Sequence, residues 1–143
     1  SKMQYQQVSD YLRSIGVDKP IHIGETGWAS ISDGFYGPDG SKAADELKQS
    51  LYHKGMREWT DAEGISCFYF EAFDEPWKSS ANPNDSENHF GLFTREGRAK
   101  YTLWPLVDSG VFEGLSRDGK SITKTYNGES NLLNKDVHLP VLK

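Results

Sequence analysis

Two short apolar runs, each preceded by a stretch with helical spacing, constrain this chain more than any other feature. Residues 3–15 place Met3, Val8, Tyr11, Leu12 and Ile15 on one stripe, predicting a helix with a single buried face. Gly16 offers a stop, and Pro20 keeps the helix out of the apolar run Ile21-His22-Ile23 that follows. A second helix is predicted over residues 41–61, with Ala44, Leu47, Leu51 and Trp59 on or near one face. Asp39 or Ser41 could cap its start and Gly64 could end it. Residues 65–73, dense in aromatic and β-branched side chains, carry the strongest strand signal. Strands separated by a helix imply a parallel sheet with a crossover, so the predicted fold class is α/β.

With 143 residues, 36% of them apolar, the chain could form one core of ordinary size. Its net charge of −5 argues against a nucleic-acid partner, which favours clustered Lys and Arg. No apolar run approaches the roughly 20 residues that cross a bilayer, and no signal segment is visible. The chain starts at Ser1 directly in a helical pattern, so we expect a piece of a longer protein. Cys67, the single cysteine, has no internal partner and reads as a small buried residue. The four histidines, at 22, 53, 89 and 138, lack paired ligand spacing, so no metal is expected. No phosphate-cradling glycine loop is present either, and no cofactor is expected.

Residues 29–40 and 77–88 are rich in turn-forming and polar types and read as loops, each leaving the end of a predicted strand. Asn84-Asp85-Ser86 fits the N-glycosylation triplet, a pattern common by chance. Residues 101–107 suggest a short helix with Pro105 in its first turn. Asp118-Gly119 between two short runs signals a hairpin near residues 113–126. The tail from Asn131 has no clear pattern.

The chemistry gathers at the strand ends. Glu25 lies in Ile21-His22-Ile23-Gly24-Glu25-Thr26-Gly27-Trp28, a carboxylate where an apolar strand turns away. The second strand ends as Tyr69-Phe70-Glu71-Ala72-Phe73-Asp74-Glu75-Pro76-Trp77-Lys78. Strand alternation puts Tyr69, Glu71 and Phe73 on one side, with Phe68 and Phe70 assigned to core packing. A mid-strand Glu71 needs a partner, because an unpaired buried carboxylate costs several kcal/mol. In parallel neighbours, Glu25 and the Glu71–Glu75 segment emerge at one edge, walled by loops carrying Trp28, Phe35, Tyr36 and Trp77. Carboxylates beside aromatic faces suit carbohydrate chemistry: one acid protonates the leaving oxygen of a glycosidic bond while a second carboxylate attacks or activates water.

Three motifs in order, Gly24-Glu25-Thr26-Gly27-Trp28-Ala29-Ser30, Phe70-Glu71-Ala72-Phe73-Asp74-Glu75-Pro76-Trp77-Lys78 and His89-Phe90-Gly91-Leu92-Phe93, resemble glycoside hydrolase family 17, the β-1,3-glucanase family. The resemblance covers residues 1–107 and implies the C-terminal part of a (β/α)8 TIM barrel, its last two βα units, followed by a C-terminal extension at residues 108–143. It implies a retaining hydrolase of β-1,3-glucan with Glu25 as nucleophile. Trp28, Tyr36, Glu71, Phe73, Glu75, Trp77 and Lys78 become candidate substrate-binding residues. Glu75 and Lys78 match a Glu and a Lys of the family's eighth-strand loop; Glu71 matches only some members. The family's proline after the tryptophan is Ala29 here, and its general acid/base glutamate, after the fourth strand, has no counterpart in this chain. The expected partner is a β-glucan oligosaccharide or polysaccharide, met in a secreted, periplasmic or cell-surface setting. A glucan transglycosylase of the same family, or a non-catalytic glucan-binding barrel, are the alternatives. Translating the gene upstream of Ser1 and looking for the missing acid would separate the last of these.

Overall fold

The computed structural model describes residues 1–33 and 43–139. Helix α1 (Lys2–Ser14) leads to strand β1 (Ile23–Thr26), helix α2 (Glu46–Glu63) crosses over, and strand β2 (Cys67–Tyr69) returns beside β1. The two strands pair in parallel, Ile23 opposite Cys67 and Thr26 opposite Tyr69, as the helical crossover requires. Glycine ends both helices where the sequence placed it: Gly16 at φ +75° and Gly64 at φ +64° occupy the left-handed conformation that side chains resist.

Helix α2 starts later than the pattern suggests. Its cap is Asp45, whose carboxylate accepts from the Lys48 amide at 2.8 Å; Asp39 and Ser41 lie outside the described residues. Its buried face also differs from expectation. Leu51 is exposed, and the stripe turned inward is Gln49, Met56 and Thr60. The reason is polar. The Gln49 amide donates to the carbonyls of Trp28 and Gly91, both at 3.0 Å, so it occupies a position where a leucine would leave those acceptors bare.

The stripe on α1 is likewise not buried. Tyr5 meets Trp59 of α2 edge to face at 5.6 Å, but Met3, Val8, Tyr11 and Ile15 remain exposed. On β2, Phe68 is 64% exposed rather than packed in a core. These residues share a cause: α2 covers one face of the β1–β2 pair, and nothing among the described residues covers the other. The described residues form three two-stranded sheets and no closed barrel.

Beyond β2 the chain continues beside residues 90–93, with Leu92 donating to the Glu71 carbonyl and Phe93 to that of Ala72, both at 2.9 Å. Strand β3 (Arg98–Ala99) pairs in parallel with β6 (Thr123–Lys124). Strands β4 (Ser116–Arg117) and β5 (Lys120–Ser121) form the hairpin expected at Asp118-Gly119, which sit at φ +50° and +75°. Helix α3 (Trp104–Asp108) holds Pro105 in its first turn. A short α4 (Ser130–Lys135) ends a tail in which the sequence showed no pattern. The core is built of small residues, Ala29, Ala44 and Ala99, around Met56, Leu103, Trp104 and Leu133.

Candidate active site

Glu25 occupies the third position of β1. Its neighbour Thr26 bonds the Tyr52 hydroxyl of α2 at 2.6 Å, which fixes Thr26 on the helix side. Alternation therefore turns Glu25 to the uncovered face, the side of the exposed Phe68. Glu25 is solvent-exposed, and among the described residues its side chain has no hydrogen bond or ion pair. It lines an open groove of about 330 Å³ between α1 and β1, with Tyr5, Val8 and Ile23.

The end of β2 gathers a second group. Lys78 pairs with Glu75 at 2.5 Å and with Glu71 Oε2 at 3.3 Å, and its ammonium lies 4.1 Å above the Phe70 ring. Burial pushes the Glu71 carboxyl up to about 7, and a hydrogen bond with Glu75 adds to that, while Lys78 opposes it. Glu75 is held below the usual carboxylate range, first by its bond to Lys78 and then by Glu71. Burial works against the Lys78 cation, yet the two carboxylates hold it above its ordinary value.

The period-two assignment along this segment fails. Tyr69 turns to α2, where its ring meets His53 at 4.7 Å, whereas Glu71 joins Lys78 above Phe70. Strand β2 ends at Tyr69, so its alternation does not extend through Glu71.

The loops after the two strands meet, with Asn82 donating to the Asp33 carboxylate. The fully buried Asn88 shapes the second loop by accepting from the Ser79 amide at 2.8 Å and donating to the Ser79 and Asn82 carbonyls, each at 3.0 Å. Of the candidate aromatics, Trp77 is 60% exposed. Trp28 packs on Tyr52 at 5.3 Å and donates its indole N–H to the Ala43 carbonyl at 3.0 Å, a placement that favours packing over an open platform. The Phe73 ring stacks on Phe93 at 5.2 Å and carries the Arg117 guanidinium 3.8 Å from its centre. Tyr36 and Phe35 lie outside the described residues.

Behind these side chains is an ion pair that the sequence did not reveal. Lys100 is 2% exposed, and its ammonium reaches Asp74 Oδ1 and Ser30 Oγ, both at 2.7 Å. Asp74 also accepts from the Gly91 amide at 3.0 Å. Burial pulls the Lys100 cation below its ordinary value, with Asp74 opposing, and the same burial raises Glu46 nearby. The Asp74-Lys100-Ser30 group joins the segments that leave β1 and β2. Its partners are 26 and 70 residues from Lys100 in sequence, so no local pattern could disclose it.

Among the described residues, no group of three or more His, Cys, Asp or Glu is placed to hold a metal ion, and no helix is long and apolar enough to cross a membrane.

Parallel strands joined by a helix, with carboxylates beyond their carboxyl ends, define an α/β protein with an acidic strand-end site. Its family follows from comparison: the model for glycosyl hydrolases family 17 matches residues 13–104, and the chain belongs to that family. The structure is similar to that of an endo-laminarinase from Formosa Hel1_33_131, with a TM-score of 0.92 and 60% identity, over 96% of this chain and 35% of that one. It also resembles an active-site mutant of a Rhizomucor miehei β-1,3-glucanosyltransferase in complex with laminaritriose, with a TM-score of 0.51 and 26% identity, over 68% of this chain and 34% of that one. Among curated relatives, a glucan 1,3-beta-glucosidase from Arthroderma benhamiae is 38% identical over 57% of this chain and 27% of its own length. One of the same description from Saccharomyces cerevisiae is 38% identical over 60% of this chain and 26% of its own. The chain thus spans about a quarter of these curated relatives and about a third of the solved structures.

Proposed function

We propose that this chain supplies the nucleophile-bearing end of a retaining β-1,3-glucan hydrolase, as the last two βα units of a (β/α)8 barrel. The observation that carries the reading is the setting of Glu25: a carboxylate near the C-terminal end of a parallel strand, on the uncovered face and, among the described residues, without a side-chain partner. Glu25 attacks the anomeric carbon and the leaving oxygen takes a proton from an acid supplied by a part of the protein outside this chain. Water, after losing a proton to that same group, then releases the glycosyl-enzyme. Glu75 and Lys78 bind sugar hydroxyls at the end of β2, and Trp77 offers an exposed ring. Glu71, Phe73, Trp28 and Tyr36 complete the binding set, with Phe73 and Trp28 acting through the walls they support. Residues 1–107 belong to the barrel and residues 108–143 form an extension, whose described part, 108–139, packs against it. The apolar residues left open on α1 and β2 are the surface that the remaining barrel elements cover.

The ligand is a laminarin-like glucan, in keeping with the endo-laminarinase at 60% identity. Such polymers lie outside the cytoplasm, so the protein works in a secreted, periplasmic or surface setting. Hydrolysis is favoured over transfer because the named laminarinase is far more similar to this chain than the named glucanosyltransferase. The test is to treat the full-length protein with a 2-deoxy-2-fluoro laminarioligosaccharide carrying a good leaving group, then map the labelled peptide. Covalent label on Glu25 is the expected result; label on any other carboxylate overturns the assignment.

A further inference from the structure

We propose that Glu71 is a proton-holding positioning residue of the glucan site: it carries the one proton of a Glu71–Glu75 carboxyl pair and so leaves Lys78 to fix Glu75 for the sugar. The proposal rests on the glucan reading above for the identity of the ligand, but not for the protonation.

The geometry divides one cation between two acids unequally. Lys78 lies 2.5 Å from Glu75 and 3.3 Å from Glu71 Oε2, while Glu71 Oε1 is sealed from solvent and has no donor among the described residues. An ionised carboxylate with one oxygen enclosed and unpartnered carries the full desolvation penalty of that oxygen. A proton on Glu71 removes the charge and with it most of that penalty, and it supplies the donor that a hydrogen bond between the Glu71 and Glu75 carboxyls requires. The groups around it supply no alternative. The segment packed alongside gives Glu71 only backbone partners, the Phe90 carbonyl and the Leu92 amide. His89 on that segment is engaged by the Pro83 carbonyl at 2.7 Å and lies 3.8 Å from Asp74. Lys100, beyond it, is committed to Asp74 and Ser30. On the neighbouring strand, the charged group on the uncovered face is Glu25, an acid. Burial, which raises the Glu71 carboxyl to about 7, acts in the same direction as this geometry.

While the proton is held, Glu71, Glu75 and Lys78 sum to zero charge. As pH rises through the value of the folded site, Glu71 releases its proton to solvent and the group acquires one net negative charge. The new carboxylate then competes with Glu75 for Lys78. Sugar binding weakens because Glu75 and Lys78 no longer hold one fixed arrangement. Glutamine at position 71 keeps a donor towards Glu75 and cannot ionise, so it should abolish the pH dependence of binding.

The experiment measures laminarihexaose affinity by calorimetry in the full-length protein carrying Glu25→Gln to prevent turnover, between about pH 5.5 and about pH 8.5. Affinity should fall about threefold or more across this range with Glu71 present, stay flat in E71Q, and be weak throughout in E71A. Carbon-13 NMR of the glutamate carboxyls in the same protein reads the proton directly, as a resonance with a near-neutral midpoint that disappears in E71Q. If every glutamate titrates in the ordinary acidic range, the protonation is wrong and the proposal falls. If the neutral resonance exists but E71Q binds with the same pH profile as its parent, the positioning role falls. If no pH gives binding, the glucan reading and the positioning role fall together, and the NMR signal still shows whether the proton was placed correctly.

Discussion

Replacing Lys100 with methionine tests whether the buried pair behind the site holds the two strand ends together. In the parent, the ammonium donates to Asp74 and Ser30 at 2.7 Å and contacts the His89 carbonyl at 3.4 Å. Methionine fills much of the same volume but strands the Asp74 carboxylate, which keeps the Gly91 amide at 3.0 Å as its remaining close donor. Removing one partner of a buried ion pair costs about 3–5 kcal/mol, and the surviving backbone bond puts this case near the lower end, about 3 kcal/mol. Replacing both partners, as in D74N/K100M, leaves no uncompensated charge, and an asparagine oxygen can still accept from Gly91. The double variant should therefore lose only about 1 kcal/mol, about 2 kcal/mol less than K100M alone. Urea unfolding followed by tryptophan fluorescence reads this out. With a slope of about 2 kcal/mol per molar, the midpoint falls by about 1.5 M for K100M and about 0.5 M for the double variant. A K100M midpoint within about 0.3 M of the parent, or a double variant no better than K100M, would refute the reasoning.

Two glycines carry a sharper steric expectation. A Cβ at Gly27 would sit 2.0 Å from the Phe70 carbonyl oxygen and one at Gly91 would sit 2.2 Å from the Asp74 amide, both backbone atoms that cannot swing aside. Gly27→Ala and Gly91→Ala should each cost about 3 kcal/mol or more, whereas Gly24→Ala, with nothing within 4 Å, should stay within about 1 kcal/mol in the isolated chain; chemical denaturation of the three separates them. Trp77→Ala removes an indole that is 60% exposed, so stability should change by no more than about 0.5 kcal/mol. Laminarihexaose affinity should nevertheless fall about tenfold by calorimetry, and an unchanged affinity would remove Trp77 from the binding set.

The crossover was legible because helix and strand have different periods and because Gly16, Pro20 and Gly64 punctuate the chain. Both helix-ending glycines adopt the conformation their residue type is suited to. What covers an apolar face was not legible. The stripe Met3, Val8, Tyr11 and Ile15 is a real stripe, but periodicity reports only that a face is apolar, and here the chain leaves it open. On α2 the opposite error arose. Gln49 was passed over because amides are usually exposed, yet it is fully buried, meeting three strand-end carbonyls. For Tyr69 and Glu71 the alternation rule was carried two residues past the end of the strand it describes. Glu25, Glu71, Glu75 and Lys78 stood out because charged residues at the end of an apolar strand are conspicuous. Lys100 sits after the polar segment 94–98 and had no such contrast.

Asp74 and Glu75 connect the hidden pair to the open site. They are adjacent, and their side chains diverge: Asp74 turns back to Lys100, which also holds Ser30, and Glu75 turns forward to Lys78. The Asp74 anchor fixes the backbone from which Glu75 projects, and through Ser30 it reaches the segment that leaves β1 just past Glu25. A carboxylate in the open face has little around it to hold its position: among the described residues Glu25 has no side-chain partner, and Lys78 is shared between two acids. The precision that the proposed glucan site requires must then come from the backbone beneath. In this chain that support is electrostatic and buried, one residue away from the carboxylate it steadies.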